Sequence, residues 1–178
     1  MKRNISTKSL VLTALFAALT AVLAQLQLPL GPVPFNLAVL GAYLAGMMLE
    51  PLWAAVSMLV YMLLGLIGVP VFAGFTGGPA ILFGKTGGYV LGYLFIALLT
   101  SLAVRRGKNV FAAALGMLAG LLVCYALGTA WFMALTGTDL AQSLLWCVWP
   151  FVVPDVCKAV CAYVVGSLVN VRLATAGV

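Results

Sequence analysis

Long apolar runs that carry almost no charge dominate this 178-residue sequence. A helix needs roughly 17–25 mainly apolar residues to span a bilayer. Six runs reach or approach that length, at residues 9–28, 35–49, 52–68, 86–104, 110–135 and 149–170. Charged residues make up 7% of the chain, whereas about a quarter of a soluble domain is charged. The sequence therefore predicts an all-α membrane protein with six transmembrane helices in one domain, residues 1–178.

The basic residues orient these predicted helices. We interpret the first run as a retained span and not a cleaved signal peptide, because no small-residue cleavage site ends it. With six spans, seven of the nine Lys and Arg residues fall on one side, which the positive-inside rule assigns to the cytoplasm. Both termini are then cytoplasmic, and the outer loops are 29–34, 69–85 and 136–148. The seven residues are Lys2, Arg3, Lys8, Arg105, Arg106, Lys108 and Arg172.

An acid–base pair lies within the last apolar run, in the stretch VVPDVCKAVC. Asp155 and Lys158 are three residues apart and so share one face of a helix. A charge within the membrane costs several kcal/mol, and such residues normally face a bundle interior or a water-filled cavity. A helix that starts at Pro154 would place Asp155 in its first turn, where the helix dipole favours a carboxylate. The pattern favours a polar-ligand site or an ion path; the alternative is an ion pair that only locks the helix to its neighbours.

The second outer loop, VPVFAGFTGGPAILFGK, is rich in glycine. Glycine permits unusual dihedral angles and close approach of the backbone to a ligand. The segment therefore suits a lid over a small, partly apolar ligand, and the alternative is a passive compact loop. Its GKT triplet lacks the spacing of a phosphate-binding loop, so ATP binding is not expected. Aromatic residues alternate with the glycines, at Phe72, Phe75, Phe83 and Tyr89.

The residue types that most catalytic sites need are scarce. The chain has no histidine and three acidic residues, so we expect no metal centre, no cofactor and no acid–base catalyst. The four cysteines are most simply small buried apolar residues. The basic excess follows from orientation in the membrane and does not indicate nucleic-acid binding. The class that remains is a membrane protein that binds a ligand and is not an enzyme.

Alanines repeat at helical spacing in the first run. Ala14 and Ala18 are four residues apart, as are Ala17 and Ala21. Small residues at this spacing let two helices approach closely in lipid. The pattern is compatible with a partner interface or with packing inside the bundle.

Three motifs, in order along the chain, closely resemble the BioY family: GPVPF, GLIGVPVFAGFTGGPAILFGKTGGYVLGY and VPDVCKAVCA. Members of this family are the biotin-binding S components of energy-coupling factor (ECF) transporters of the bacterial cytoplasmic membrane. The resemblance covers essentially the whole chain. It implies a six-helix protein that captures biotin for uptake at its outer face, with the glycine-rich loop closing the site. The alternatives are an S component for another vitamin and a non-transport structural membrane protein.

The resemblance also implies a set of ligand-binding residues. Asp155 and Lys158 would be the polar anchors for biotin's ureido group and tail carboxylate, and Lys85 could also meet that carboxylate. Tyr89 and Phe75 could cover the bicyclic ring. The chain departs from the usual pattern at residues 36–38, where many members carry Thr-Leu-Gln, and at Lys85, where proline is common. The implied set is Asp155, Lys158, Lys85, Asn36, Gly74, Phe75 and Tyr89.

Partners are implied as well. S components pair with a membrane coupling protein (the T component) and two ABC-type ATPases through an A-x-x-x-A surface on the first helix. Ala14 and Ala18 match this surface, and Ala17 and Ala21 form the adjacent register. The chain has no ATPase motif, so energy would come from those partners or from a gradient. A homo-oligomer is a further option.

Overall fold

Apolar helices account for most of the chain. A computed structural model describes residues 6–28, 33–107 and 109–175, with side chains through residue 172. The predicted cytoplasmic markers Lys2, Arg3 and Lys108, and residues 29–32 of the first outer loop, lie outside these ranges. Within the ranges, the elements are α1 (Thr7–Gln25), β1 (Gln27–Leu28), β2 (Phe35–Asn36), α2 (Ala38–Met48), α3 (Pro51–Leu66), α4 (Pro79–Leu82), α5 (Gly87–Gly107), α6 (Val110–Thr136), α7 (Leu140–Cys147) and α8 (Trp149–Thr175).

Local sequence signals set where several helices begin and end. The Asn109 side chain accepts a hydrogen bond of 2.7 Å from the Ala112 N–H, which caps the start of α6. Gly137 ends the same helix with a φ of +70°, a conformation that glycine adopts without strain. The first residue of α3 is Pro51, where the missing N–H has no helical partner to lose.

Each of the six predicted spans overlaps one of the longer helices. Within the described ranges, four helices are long and apolar enough to cross a membrane, namely α1, α5, α6 and α8. The other two, α2 and α3, have 11 and 16 residues, fewer than the roughly 20 of a typical span. The prediction of one helix over 35–49 is wrong at its start, because Phe35 and Asn36 form β2 and pair antiparallel with β1.

Two further differences lie in the loops that were predicted to be on the outer side. The predicted loop 69–85 contains α4, and the predicted loop 136–148 contains α7. The helix α8 begins at Trp149, the predicted start of the sixth span, and includes Pro154, so the alternative of a helix that starts at Pro154 does not occur. At about 3.6 residues per turn, Asp155 therefore lies in the second turn of α8 and not in its first. Proline deprives the helix of one internal hydrogen bond there but does not end it.

The short helix α2 lies in the middle of the bundle. It contacts α1, α3, α5 and α8, and eight of its 11 residues are buried. Glycine allows one of these close crossings, because a Cβ at Gly46 would lie 2.7 Å from the Thr100 Cβ. Since α2 follows β2 directly, Phe35 and Asn36 stand at the end of the bundle that also holds the glycine-rich loop.

Candidate functional site

The structure buries Asp155 and Lys158 together on one face of α8. Lys158 Nζ donates a hydrogen bond of 2.6 Å to Asp155 Oδ1. The aspartate is 3% exposed and the lysine 5% exposed. Attraction between two buried charges seldom offsets the full cost of removing them from water. The pair therefore depends on further contacts from its surroundings.

Two residues that sequence reasoning missed supply those contacts. Tyr125 Oη, on α6, donates a hydrogen bond of 2.7 Å to Asp155 Oδ2. Lys158 Nζ lies over the Phe35 ring, 4.2 Å from its centroid, which is within cation–π range. The available signals were a lone tyrosine hydroxyl in the fifth apolar run and an aromatic residue at the end of GPVPF. Neither signal indicates which charged side chain it meets, because the contacts join residues far apart in sequence.

Two adjoining cavities meet beside this pair. The first, here called the anchor cavity, has a volume of about 40 Å³ and is bordered by Asp155, Lys158 and Tyr125. The second, the loop cavity, has a volume of about 250 Å³ and is bordered by the glycine-rich loop at Phe72 and Thr76. Small-molecule sites typically measure about 300–1,000 Å³, and the two cavities together come close to the lower end of this range. Residues that border both cavities are Val33, Pro34, Asn36, Tyr89 and Tyr93.

Asn36 and Tyr89, both predicted ligand residues, stand where the two cavities meet. The Asn36 Oδ1 accepts a hydrogen bond of 2.9 Å from the Ala38 N–H, which orients the side chain at the start of α2. The Tyr89 hydroxyl lies 3.1 Å from Thr129 Oγ1 and forms a hydrogen bond with it. Both side chains are thus held in place by the protein before any ligand arrives.

Three other predicted ligand residues are not brought to the cavities. Lys85, Gly74 and Phe75 border neither one. The Lys85 side chain is exposed beyond α4, and the Phe75 ring is 73% exposed. Phe75 has a φ of +54°, which is unusual for a bulky residue. Its backbone N–H forms a hydrogen bond within the protein, while its side chain is exposed. Contacts from these three residues require a loop position different from this one.

A third residue that sequence reasoning missed, Gln25, holds the glycine-rich loop against the end of α1. Its Nε2 donates hydrogen bonds of 3.2 Å to the carbonyl oxygens of Val71 and Phe72. Its Oε1 accepts a hydrogen bond of 2.8 Å from the Phe75 N–H. One side chain therefore holds both ends of the 71–75 turn. The contact spans 46 residues or more along the sequence, so no local pattern indicates it.

The groups at the site are suited to binding a small molecule by hydrogen bonds and apolar contacts. It combines a carboxylate acceptor, an ammonium donor and an amide with tyrosine and phenylalanine walls. Such a set fits a small molecule that offers both N–H donors and oxygen acceptors on a largely apolar body. Among the residues that the structure describes, no three His, Cys, Asp or Glu side chains are grouped so that they could hold a metal ion.

The chain matches a known protein family over nearly its whole length. The family model described as "BioY family" matches residues 1–175. A "Probable biotin transporter BioY" from Pyrococcus horikoshii is 41% identical over 160 residues, which cover 90% of this chain and 94% of that protein. A "Biotin transporter BioY2" from Lactococcus lactis subsp. cremoris is 36% identical over 165 residues, covering 92% and 91% of the two chains.

A solved structure shares the fold. It is described as the crystal structure of the S-component for biotin from an ECF-type ABC transporter. Superposition gives a TM-score of 0.86 with 29% sequence identity, and the match covers 96% of this chain and 94% of that one. The helix bundle is therefore built on the same backbone framework as that S component.

Proposed function

The chain belongs to the BioY family, and we propose that it captures biotin for uptake as the substrate-binding subunit of an ECF-type transporter in the cytoplasmic membrane. The observation that carries this proposal is the buried Asp155–Lys158 pair, which borders a cavity beside the glycine-rich loop. Biotin presents ureido N–H donors, a carbonyl acceptor and a tail carboxylate. A carboxylate and an ammonium group placed side by side can satisfy groups of both kinds.

Binding would offset the cost of burying the pair. Asp155 accepts from N–H donors of the ureido group, and Lys158 donates to the ureido carbonyl or to the tail carboxylate. Charge-assisted hydrogen bonds of this kind are about twice as strong as neutral ones. Asn36 and Tyr89 border the space left for the bicyclic ring and the tail. Lys85, Gly74 and Phe75 would reach the ligand only when the loop moves inward over it.

The membrane arrangement that suits this role has six spanning helices within a single domain, residues 1–178. The four long apolar helices and the shorter α2 and α3 are its six members. Both termini lie in the cytoplasm, as does the α5–α6 connection with Arg105 and Arg106. The glycine-rich loop and the cavities then open to the outside, where the vitamin is captured.

The coupling partners would bind α1. Ala14 and Ala18 are exposed on this helix, whereas Ala17 is buried against the bundle. The exposed register is therefore the one available to a second protein. Close helix–helix contact in lipid favours small residues of this kind. A T component would bind along this stripe and connect the chain to two ATPases, and a homo-oligomer remains a further arrangement for the same surface.

Direct binding of three radiolabelled vitamins tests the function against its alternatives. The purified chain is incubated in separate samples with labelled biotin, thiamine or riboflavin, and each sample is challenged with the same vitamin unlabelled. Specific binding of biotin alone supports the proposal. Tighter binding of thiamine or riboflavin than of biotin identifies an S component for a different vitamin. The absence of specific binding of all three to folded protein indicates a structural membrane protein.

A further inference from the structure

A third space, separate from the ligand cavities, opens on the side of the bundle between α6 and α8. These two helices touch over only a short stretch. The space between them, here called the α6–α8 groove, has a volume of about 340 Å³. Its walls are almost entirely apolar, and α2 contributes Tyr43 to its floor. The main wall residues are Val110, Ala114 and Leu121 of α6 and Val156, Val160 and Tyr163 of α8.

The groove is open to the bilayer. Val110, Val156 and Val160 border it with side chains that are more than half exposed. From Val110 to Leu121 the helix rises about 16 Å, at about 1.5 Å per residue. This is close to half of the roughly 30 Å hydrocarbon core. The groove is thus about as long as the acyl region of one leaflet. It begins at the N-terminal end of α6, at Val110.

Two cationic side chains lie at that end. Arg105 and Arg106 are exposed in the last turn of α5, and only three residues separate Arg106 from Val110. An Arg105 Nη lies 3.5 Å from the carbonyl oxygen of Met48, at the end of α2. The guanidinium group therefore stands at the end of the helix whose Tyr43 forms the floor of the groove. Guanidinium groups bind phosphate oxygens in bidentate geometry.

We propose that the α6–α8 groove binds an acyl chain of one anionic glycerophospholipid, whose phosphate lies against Arg105 and Arg106. The apolar walls match the acyl chain, the length matches one leaflet, and the two arginines that precede the start of α6 match the anionic headgroup. In the orientation proposed above this end faces the cytoplasm, where membrane leaflets carry anionic lipids and basic pockets between helices recognise them. The inference does not depend on which vitamin occupies the ligand cavities.

Native mass spectrometry of the purified full chain tests the proposal. The delipidated protein is titrated with dioleoyl phosphatidylglycerol or with dioleoyl phosphatidylcholine, which have the same chains and differ in headgroup charge. The wild type is expected to retain one phosphatidylglycerol at least about fivefold more readily than phosphatidylcholine, a difference of about 1 kcal/mol. An R105Q/R106Q variant is expected to lose this preference while still binding both lipids weakly.

A matched pair of substitutions on α8 tests the groove itself. Val160→Trp fills the groove, whereas Val164→Trp adds the same bulk one turn further along, at an exposed position outside it. Only V160W should lose the retained lipid, and unchanged ligand binding by both variants shows that they fold. Equal retention of the two lipids by wild type overturns the proposal, as does full preference in R105Q/R106Q or full retention in V160W. A concentration-dependent dimer that V160W alone disrupts would instead make the groove an interface between copies.

Discussion

The Tyr125 hydroxyl on α6 donates a hydrogen bond of 2.7 Å to the carboxylate of Asp155 on α8. The other oxygen of this carboxylate accepts from Lys158. One aspartate therefore links the ammonium group of its own helix to a neighbouring helix with which α8 shares few other contacts. This arrangement fixes the direction in which the carboxylate faces the anchor cavity.

Removal of the Tyr125 hydroxyl should weaken biotin binding while leaving the fold intact. Tyr125→Phe keeps the ring and deletes the donor, so the Asp155 carboxylate is free to rotate away from the ligand. Hydrogen bonds to charged groups contribute about 1.5–3 kcal/mol, and we expect a loss of affinity of about tenfold or more in titration calorimetry. Tyr163→Phe, which deletes a hydroxyl that borders neither ligand cavity, is the control. Equal affinities for the two variants would contradict the role given to Tyr125.

The substitution Gly128→Ala should weaken biotin binding, because the added methyl group would displace the Tyr89 ring. A Cβ added at Gly128 would clash with the Tyr89 ring, which borders both cavities. Gly120→Ala is the matched control, because its Cβ would also crowd the α5–α6 contact, at 2.7 Å from the Ile96 Cα, but lies away from Tyr89. Both variants should lower the thermal unfolding temperature. Only Gly128→Ala should also weaken biotin binding, and a similar loss in Gly120→Ala would show that general strain is the cause.

The bonds made by Gln25 should control how firmly the glycine-rich loop is held. Gln25→Leu keeps the approximate shape of the side chain and removes its hydrogen bonds to Val71, Phe72 and Phe75. Each neutral hydrogen bond contributes about 1 kcal/mol, so bound biotin should dissociate about tenfold faster, as followed by chase of labelled ligand. Gln142→Leu on the exposed face of α7 serves as the control. Unchanged dissociation in Gln25→Leu would mean that this loop does not retain the ligand.

A large side chain at Ala14 or Ala18 on the exposed face of α1 should reduce biotin uptake without changing biotin binding. Trp at position 14 or 18 would keep a partner helix at a distance, since close contact needs small residues there. We expect Ala14→Trp and Ala18→Trp to bind biotin as the wild type does, yet to take up at least about tenfold less in cells that contain the coupling proteins. Leu59→Trp, at an exposed position on α3, should leave uptake unchanged. Normal uptake by both alanine variants would remove α1 as the partner surface.

Sequence periodicity predicted the elements that depend on local composition, and it failed where distant segments meet. Apolar runs located the longer helices, and the spacing of Asp155 and Lys158 placed both on one face of α8. The start of the second run became a strand because Phe35 and Asn36 pair with β1, a contact that no helical pattern encodes. The hydrogen bonds from Gln25 to the glycine-rich loop also join residues far apart in sequence, so no local pattern predicted them.

The resemblance to known family motifs predicted site residues that periodicity alone does not indicate. It pointed to Asn36 and Tyr89, which the structure places beside the anchor pair. It also pointed to Lys85 and Phe75, which this loop position leaves exposed. A motif specifies which residues lie in a loop, but the direction of each side chain depends on backbone dihedrals and on contacts such as those of Gln25.

Titration calorimetry of biotin with the purified chain measures whether Asp155 and Lys158 anchor the ligand. Wild type is compared with Asp155→Asn and Lys158→Ala, and with Asp139→Asn, an exposed carboxylate before α7, as the control. We expect tight binding by wild type and Asp139→Asn, and a loss of at least tenfold, about 1.4 kcal/mol, in each of the two anchor variants. Absence of biotin binding by folded wild type, or wild-type affinity in both anchor variants, would contradict this expectation.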